Sequence, residues 1–292
     1  MDSTTPHSIK ARIPTGSLVC PDCRAALSVD GSAFQCAACS AVFSYVNGIP
    51  KLYPPSRAAQ IEAGLKSFQS AHASVRQSRF FRALIPPNSV YDRGRSAREA
   101  RVREKMSSGF VLNLGSKSAD WGTHVLNVDL AMPAAGGVDL LADIARLPFA
   151  DASVDAVICT YVLEHVADAR ACIDGIARVV KPGGYVYVAV PFLFPTHPDP
   201  LDRWRWTLDG LRHSMSAFEE IEAGNSGGPF SAYVSIVPTL TASIFSNFYL
   251  FNAVRFALGW LLWPLKFLDC IASRSDKAYM ASANFYFFGR RR

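Results

Sequence analysis

The sequence predicts a doubly wound α/β fold: a mostly parallel sheet with helices between its strands, preceded by a small metal-held ribbon and interrupted near its end by a hydrophobic helical insertion. Three observations predict it. Short, continuously apolar runs at 110–114, 125–129, 154–160 and 185–190 alternate with other segments, as parallel strands buried on both faces do. N-terminal cysteines stand as two Cys-x2-Cys pairs. An uncharged stretch, 230–254, separates two further strand candidates, 218–224 and 284–292.

At 292 residues, half of them hydrophobic, the chain can bury one substantial core and carry a second, smaller unit. Residues 1–14 are polar and read as a loose tail without a secretory signal. Cys20, Cys23, Cys36 and Cys39 are paired, whereas Cys159, Cys172 and Cys270 are scattered in apolar surroundings. That usage points to a reducing, cytoplasmic setting and to metal rather than disulfides. The net charge of +6 is uneven, because nine Lys/Arg against three acids fall between Arg76 and Lys105. A solvated helix face explains such a run, and so does an anionic partner.

The ribbon is expected over 15–54. Twelve residues separate the pair Cys20/Cys23 from the pair Cys36/Cys39, and Asp30-Gly31 between them is a hairpin signal. Each pair then sits at a strand end, and four thiolates at this spacing suit tetrahedral Zn²⁺. All four positions are filled by protein, so the site is structural. The stretch from Cys20 to Tyr53, with "NGIPKLYP", resembles Trm112-type zinc ribbons found in front of some bacterial methyltransferases. Residues 55–106 follow as a helical linker. Ile61, Leu65 and Phe68 recur at helical spacing, Pro86-Pro87-Asn88 breaks the run, and "SAREARVREKM" is a short charged helix.

The domain expected over 107–292 opens with "FVLNLGSKSADWGTHVLNVDL". A strand feeds a loop with a single glycine, Gly115, and ten residues, Gly115 to His124, lead to a second strand ending in Asp129. Further on, Asp168 is a candidate N-cap, and Cys172, Ile173, Ile176, Val179 and Val180 form one helical face that "KPGG" ends. In such a sheet the ligand site lies at the carboxyl ends of the strands.

"VLNLGS", "LNVDL", "LLADIARLPFADASVDAVICTYVLEHV" and "RVVKPGGYVYVAVPF", in that order, resemble the motifs of class I S-adenosylmethionine-dependent methyltransferases of the type-11 group. The resemblance covers 110–218 well. It implies a Rossmann-like seven-stranded sheet with an antiparallel last strand, and S-adenosylmethionine as cofactor. It places Leu114, Gly115 and Ser116 at the methionine part, Asp129 and Leu130 at the ribose, Asp143 and Ile144 at the adenine, and Thr160 and Tyr161 at the reactive end. Turn capping by Asp129 and helix capping by Asp143 are the plainer alternatives. Asn113 and Ser116-Lys117 depart from the family pattern, and the ten-residue link holds at most a helical turn. This cofactor carries no phosphate and needs no full glycine cradle, so the site reads as trimmed but working.

The loop "PFLFPTHPDPLDRWRWTLDGLRHSM" opens over the same edge, with Thr207 as N-cap of a following helix. Similar loops occur in methyltransferases associated with bacterial surface-glycan and lipid gene clusters. His197 is the candidate base or acceptor-orienting residue, with Asp199 beside it and His165 as a second histidine. Arg203, Arg205 and Trp204 are candidates for binding an anionic or cyclic acceptor. A core histidine bonded to a loop carbonyl is the plainer reading of His165.

The insertion, 229–280, is too interrupted by Pro238, Asn247 and Ser/Thr for a full span. Its aromatic-rich faces, flanked by Arg255, Lys266, Arg274, Lys277 and the Arg290–Arg292 tail, suit an in-plane interfacial helix on the inner membrane. A buried cap or a dimer interface is the alternative. The expected function is methyl transfer to a small-molecule, lipid-linked or surface-glycan-related acceptor near the membrane. An RNA methyltransferase and a catalytically inactive scaffold are the competing readings. The sequence does not set the oligomeric state.

Overall fold

β-Branched and aromatic side chains mark out the strands, and they fall where those residues cluster. The computed structural model describes residues 12–30, 33–66, 90–92, 94–116, 121–132, 136–198 and 201–292. In the ribbon, β1 (Leu27–Asp30) and β2 (Ala33–Cys36) pair antiparallel, Gly31 of the expected turn lying outside the described residues, and β3 (Val42–Phe43) adds to β2. β4 (Tyr45–Val46) and β5 (Ile49–Leu52) form a second hairpin. Its turn residues Asn47 and Gly48 have φ of 50° and 79°, the left-handed pair that a two-residue hairpin loop requires and Asn-Gly supplies.

A helical segment covers 58–66. The rest of the expected linker up to residue 89 lies outside the described residues, and helix α1 (Arg95–Lys105) leads into the sheet as expected. There follow β6 (Val111–Leu114), β7 (Val125–Asp129), β8 (Leu140–Ala142), β9 (Val154–Thr160), α2 (Ala169–Val179), β10 (Val180–Pro191), α3 (Leu208–Ser214) and β11 (Phe218–Gly227). The insertion holds α4 (Pro229–Ala242) and α5 (Phe248–Leu262), and β12 (Asn284–Arg291) closes the chain. The Asp168 side chain accepts from the Ala171 N–H at 2.9 Å and the Thr207 hydroxyl from the Gly210 N–H at 3.1 Å, so both predicted N-caps form. "KPGG" ends α2, yet β10 starts at once with Val180 opposite Val154, and an irregularity before Tyr185 absorbs the four residues. A Cβ on Gly184 would lie 2.6 Å from the Asp155 carbonyl oxygen, so the close approach there requires glycine.

The sheet order is β11-β12-β10-β9-β6-β7-β8-β5-β4. Strands β10 to β8 run parallel, and β12 is antiparallel to both β10 and β11. Seven of the nine strands are thus the expected doubly wound sheet. The other two come from the ribbon. β5 pairs parallel with β8 through Lys51↔Leu141 and Leu52↔Ala142, and Leu18 bridges Phe149. Ribbon and sheet share one core, in which Cys20, Phe34, Cys36, Phe43 and Leu52 are continuous with Leu140 and Phe149. The expected boundary at residue 54 therefore falls beside a strand of the main sheet. Arg12, inside the stretch expected as a loose tail, is held 2.8 Å from Asp139.

Helices α2 and α3 cover one face of the sheet, and α1 packs Val102 and Met106 with Trp121 on the other. Tyr53 and Ile61 cover Val138 and Leu141 near the β8 edge. The insertion meets the segment before α1 where the Tyr91 N–H donates to the Ser231 hydroxyl at 2.8 Å, and its own two ends are joined by a buried carboxylate. Asp269, fully buried, accepts from the N–H groups of Phe230 and Ser231 at 2.9 and 2.8 Å and from the Ser231 hydroxyl at 2.6 Å. A carboxylate there satisfies orphan donors and the positive end of α4. Helix α5 buries none of its residues.

Candidate active site

The carboxyl ends of the parallel strands bring most of the predicted residues to one edge. Gly115 follows β6 with φ of 67°, and the position of a Cβ there is filled by the Val162 side chain, so both backbone and packing require glycine. Its N–H donates to the Val128 carbonyl at 2.8 Å, which locks the loop to β7. Leu114 is buried in the core. Ser116 is buried, and its hydroxyl has no hydrogen-bond partner among the described residues. Such an orphan is unfavourable unless a ligand or water answers it. Lys117 lies outside the described residues.

Asp129 ends β7 and accepts from the Ala131 N–H at 3.1 Å, so the turn-capping role is present. Asp143 likewise caps a short 3₁₀ turn, Ile144–Arg146, through the Ala145 N–H at 3.0 Å, and its other oxygen meets Arg57 at 2.6 Å. The ribbon thus reaches this edge. Tyr53 donates its hydroxyl to the Leu130 carbonyl, and burial, with Glu62, Asp129 and Asp143 nearby, pushes the phenol up to about 12. Tyr53 and Arg57 were not foreseen, because their placement depends on the non-local β5–β8 pairing.

Thr160 and Tyr161, at the end of β9, open onto a cleft of about 570 Å³ whose opposite wall is α1 with Arg95 and Arg98. Tyr161 has φ of 57°, an uncommon conformation for an aromatic residue. His197 lines the same cleft. Its Nε2 lies 3.6 Å from Glu164 Oε1, and His165 Nε2 lies 3.7 Å from the same oxygen. These separations are too long for hydrogen bonds and short enough for strong electrostatic contact. The Glu164 carboxylate raises His197 above the ordinary histidine value. His165 Nδ1 is 2.7 Å from the Leu201 carbonyl, as the plainer reading of that residue foresaw. Glu164 went unremarked in the sequence, where the one available signal is an acid embedded in the apolar run "YVLEHV".

The loop is latched onto this cluster. Arg203 donates to the His165 carbonyl and Trp204 Nε1 to the Val166 carbonyl, both at 2.9 Å. Arg205 forms a bidentate pair with Asp202, 2.6 Å in one arm, which holds the Asp202 carboxyl down to about 2. The Arg205 guanidinium is thus engaged with its own loop. Arg203 is also engaged within the protein. Asp199 lies outside the described residues.

At the ribbon, the Cys20 and Cys39 sulfurs are 3.6 Å apart and those of Cys23 and Cys36 3.4 Å, with all four inside 4.8 Å. Tetrahedral ligation with metal–sulfur bonds of about 2.3 Å spaces sulfurs at about 3.8 Å, so the cage fits after slight expansion. The Cys39 N–H, with further donors, lowers the Cys36 thiol to about 7.

Comparison with known proteins agrees with this architecture. Residues 113–188 match the Methyltransf_11 family, described as a methyltransferase domain. An O-methyltransferase, rstn1, of Aspergillus nomiae is 42% identical over 67 residues, 23% of this chain and 30% of that protein. A demethylmenaquinone methyltransferase of Corynebacterium glutamicum is 48% identical over 50 residues, 17% of this chain and 22% of that protein. The chain spans less than a third of the length of these curated relatives. Phosphoethanolamine N-methyltransferase 2 of Haemonchus contortus aligns over 77% of this chain and 60% of its own, at 14% identity and a TM-score of 0.45; at such values the likeness decides nothing about acceptor or activity. The match to a methyltransferase domain runs from within β6 to within β10, the parallel part of the doubly wound sheet.

Proposed function

We propose that the protein is an S-adenosylmethionine-dependent methyltransferase whose acceptor is a small molecule, lipid-linked or surface-glycan-related, met at the cytoplasmic face of a membrane. The observation that carries the reading is the convergence of Gly115, the orphan hydroxyl of Ser116 and Asp129 at adjacent strand ends. The residues present fit the cofactor. Ser116 offers a buried hydroxyl to its amino-acid part, Asp129 a carboxylate to its ribose hydroxyls, and Ile144 an apolar wall to its base, with Tyr53 and Arg57 closing that end. Bound there, the cofactor supplies an electrophilic methyl group. The chain's own contribution is alignment. The strained Tyr161 and Thr160 separate the donor edge from the cleft, and the histidine pair with Glu164 provides the polar, acceptor side.

The four-cysteine cage is read as a structural Zn²⁺ site on its spacing. Membrane proximity is supported by the insertion. Phe248–Ala272 is long and apolar enough to cross a membrane by length and composition, and none of its apolar window is buried. Pro264 interrupts it, which suits an in-plane arrangement better than a span. An RNA acceptor has less support, because Arg95 pairs with Glu99, Arg98 with Asp92 and Arg101 with Glu222, while Arg103 lies over Trp121. Cations so engaged are poorly available to phosphates.

Calorimetry with S-adenosylhomocysteine tests the reading. Wild type should bind, and Asp129→Ala should weaken binding by at least about tenfold, the effect of losing a charged hydrogen-bond acceptor. Wild type that fails to bind at high micromolar concentration would sink the enzyme reading in favour of a scaffold.

A further inference from the structure

The cluster beside the cleft buries a carboxylate that no hydrogen bond from the described residues answers. Glu164 has no exposed side-chain surface, and neither of its oxygens is hydrogen-bonded among the described residues. A buried carboxylate is strongly unfavourable unless a cation or donors compensate it.

The tautomers of the two histidines sharpen the problem. His165 Nδ1 faces the Leu201 carbonyl at 2.7 Å. A carbonyl only accepts, so this nitrogen carries the proton. His197 Nδ1 faces the Pro195 carbonyl at 3.1 Å and Asp202 Oδ2 at 3.3 Å, again only acceptors. In the neutral rings both protons are therefore on Nδ1, and both Nε2 atoms present lone pairs. Those two lone pairs are turned toward one carboxylate oxygen, at 3.7 and 3.6 Å. Three electron-rich atoms held face to face call for a cation among them.

We propose that Glu164, His165 and His197 form a divalent transition-metal site, separate from the four-cysteine cage and open toward the cleft. The ligand atoms lie within 4.8 Å of one another. Bonds of about 2.1 Å to imidazole nitrogen and carboxylate oxygen put ligands about 3.4 Å apart in a tetrahedron, so the two Glu–His separations need to contract by only a few tenths of an ångström. Two imidazoles and one carboxylate suit Zn²⁺ or a neighbouring transition ion rather than Ca²⁺ or Mg²⁺. The outer contacts are those that orient ligating histidines, an Nδ1–H held by a carbonyl or a carboxylate. The latch adds rigidity, since Arg203 binds the His165 carbonyl and Arg205 fixes the Asp202 carboxylate that faces His197. With three protein ligands, coordination positions remain for water or for an oxygen of the acceptor on the His197 side, where the cleft lies. The ligand set rests on side-chain geometry alone; its use in handling an oxygen-bearing acceptor rests on the methyl-transfer reading.

Zinc stoichiometry of the full chain tests the site. Metal-free protein kept reduced is titrated with Zn²⁺, and bound metal is counted by elemental analysis. Wild type should take two equivalents. Glu164→Gln and His197→Ala should each take one, with the second at least about tenfold weaker. Wild type that stops at one, or either variant that still takes two at undiminished affinity, overturns the site and leaves a proton shared between His197 and Glu164 as the compensating charge. If the variants do not fold, anomalous scattering at the zinc edge from wild-type crystals answers the same question: a peak bonded to both Nε2 atoms and Glu164 upholds the site, and no peak there overturns it. S-Adenosylhomocysteine binding measured on the same samples separates the two proposals. Retained binding with one zinc refutes only the metal site, and two zincs without binding refutes only the methyl-transfer reading.

Discussion

The ribbon and the insertion are both additions to one doubly wound sheet, yet they attach in opposite ways. The ribbon gives β5 to the sheet edge and sends Phe34, Phe43 and two of its cysteines into the common core. Ion pairs Arg57–Asp143 and Arg146–Asp22 seal the junction. The insertion is far richer in apolar residues but closes on itself through Asp269 at the start of α4, meets the body through Tyr91 at Ser231, and buries none of α5. Hydrophobicity alone therefore does not decide what joins a core. The ribbon has few apolar residues of its own and places them against the neighbour whose sheet it extends. The insertion has a surplus and keeps it outward, an arrangement that monomeric soluble domains rarely tolerate without a partner surface.

The largest expected effect breaks the ribbon side of this comparison. Structural zinc in small ribbons contributes on the order of 10 kcal/mol. Chelation, or Cys36→Ser, should unfold residues 18–46. Because β5 pairs with β8, and Tyr53 and Arg57 follow it directly, the loss should reach the cofactor edge. Thermal melts by circular dichroism should shift down, and calorimetry should find S-adenosylhomocysteine binding weakened. A chelated protein that binds as tightly as the wild type would mean the ribbon is an independent bead despite the shared sheet.

Next in size is the carboxylate that closes the insertion on itself. Asp269→Ala leaves the Phe230 and Ser231 N–H groups buried without an acceptor, and the cost of a lost cap and an unsatisfied donor is about 2–3 kcal/mol. Urea unfolding followed by tryptophan fluorescence should record it. A change below about 0.5 kcal/mol would mean that the apolar contacts of α4, not the buried carboxylate, hold the two ends of the insertion together.

How far each region was legible follows from whether its signal is local. Asn47-Gly48, Asp168 and Thr207 act within a few residues, and each does what its neighbours in sequence imply. The runs 125–129 and 154–160 are strands from end to end because apolar residues, mostly branched, fill every buried position. The β5–β8 pairing joins residues about ninety apart and leaves no trace in periodicity. Arg57 at Asp143 and Glu164 between two histidines are of the same kind. A lone acid in an apolar run carries no motif, and only the fold brings His197 to it. The pairing of Arg205 with Asp202 was not legible either, because a charge in a site loop looks the same in sequence whether it faces a ligand or a neighbour.

The smallest effect on stability sharpens the insertion side. Phe248 and Leu261 are 59% and 71% exposed, so Phe248→Glu and Leu261→Glu remove little packing and should each change unfolding free energy by less than about 0.5 kcal/mol. Their effect should appear at a membrane instead. An apolar face flanked by Arg255, Lys277 and Arg290–Arg292 should bind vesicles containing anionic lipid, with release by salt as the charge contribution is screened. Co-sedimentation of wild type with such vesicles, and loss of it in both variants at unchanged stability, is the outcome expected of an interfacial helix. Destabilisation of several kcal/mol would instead place these side chains in a covered core, and stable wild type that ignores the vesicles would leave the outward face to a second copy of the chain, which sedimentation velocity would then reveal as a dimer broken by the same two substitutions.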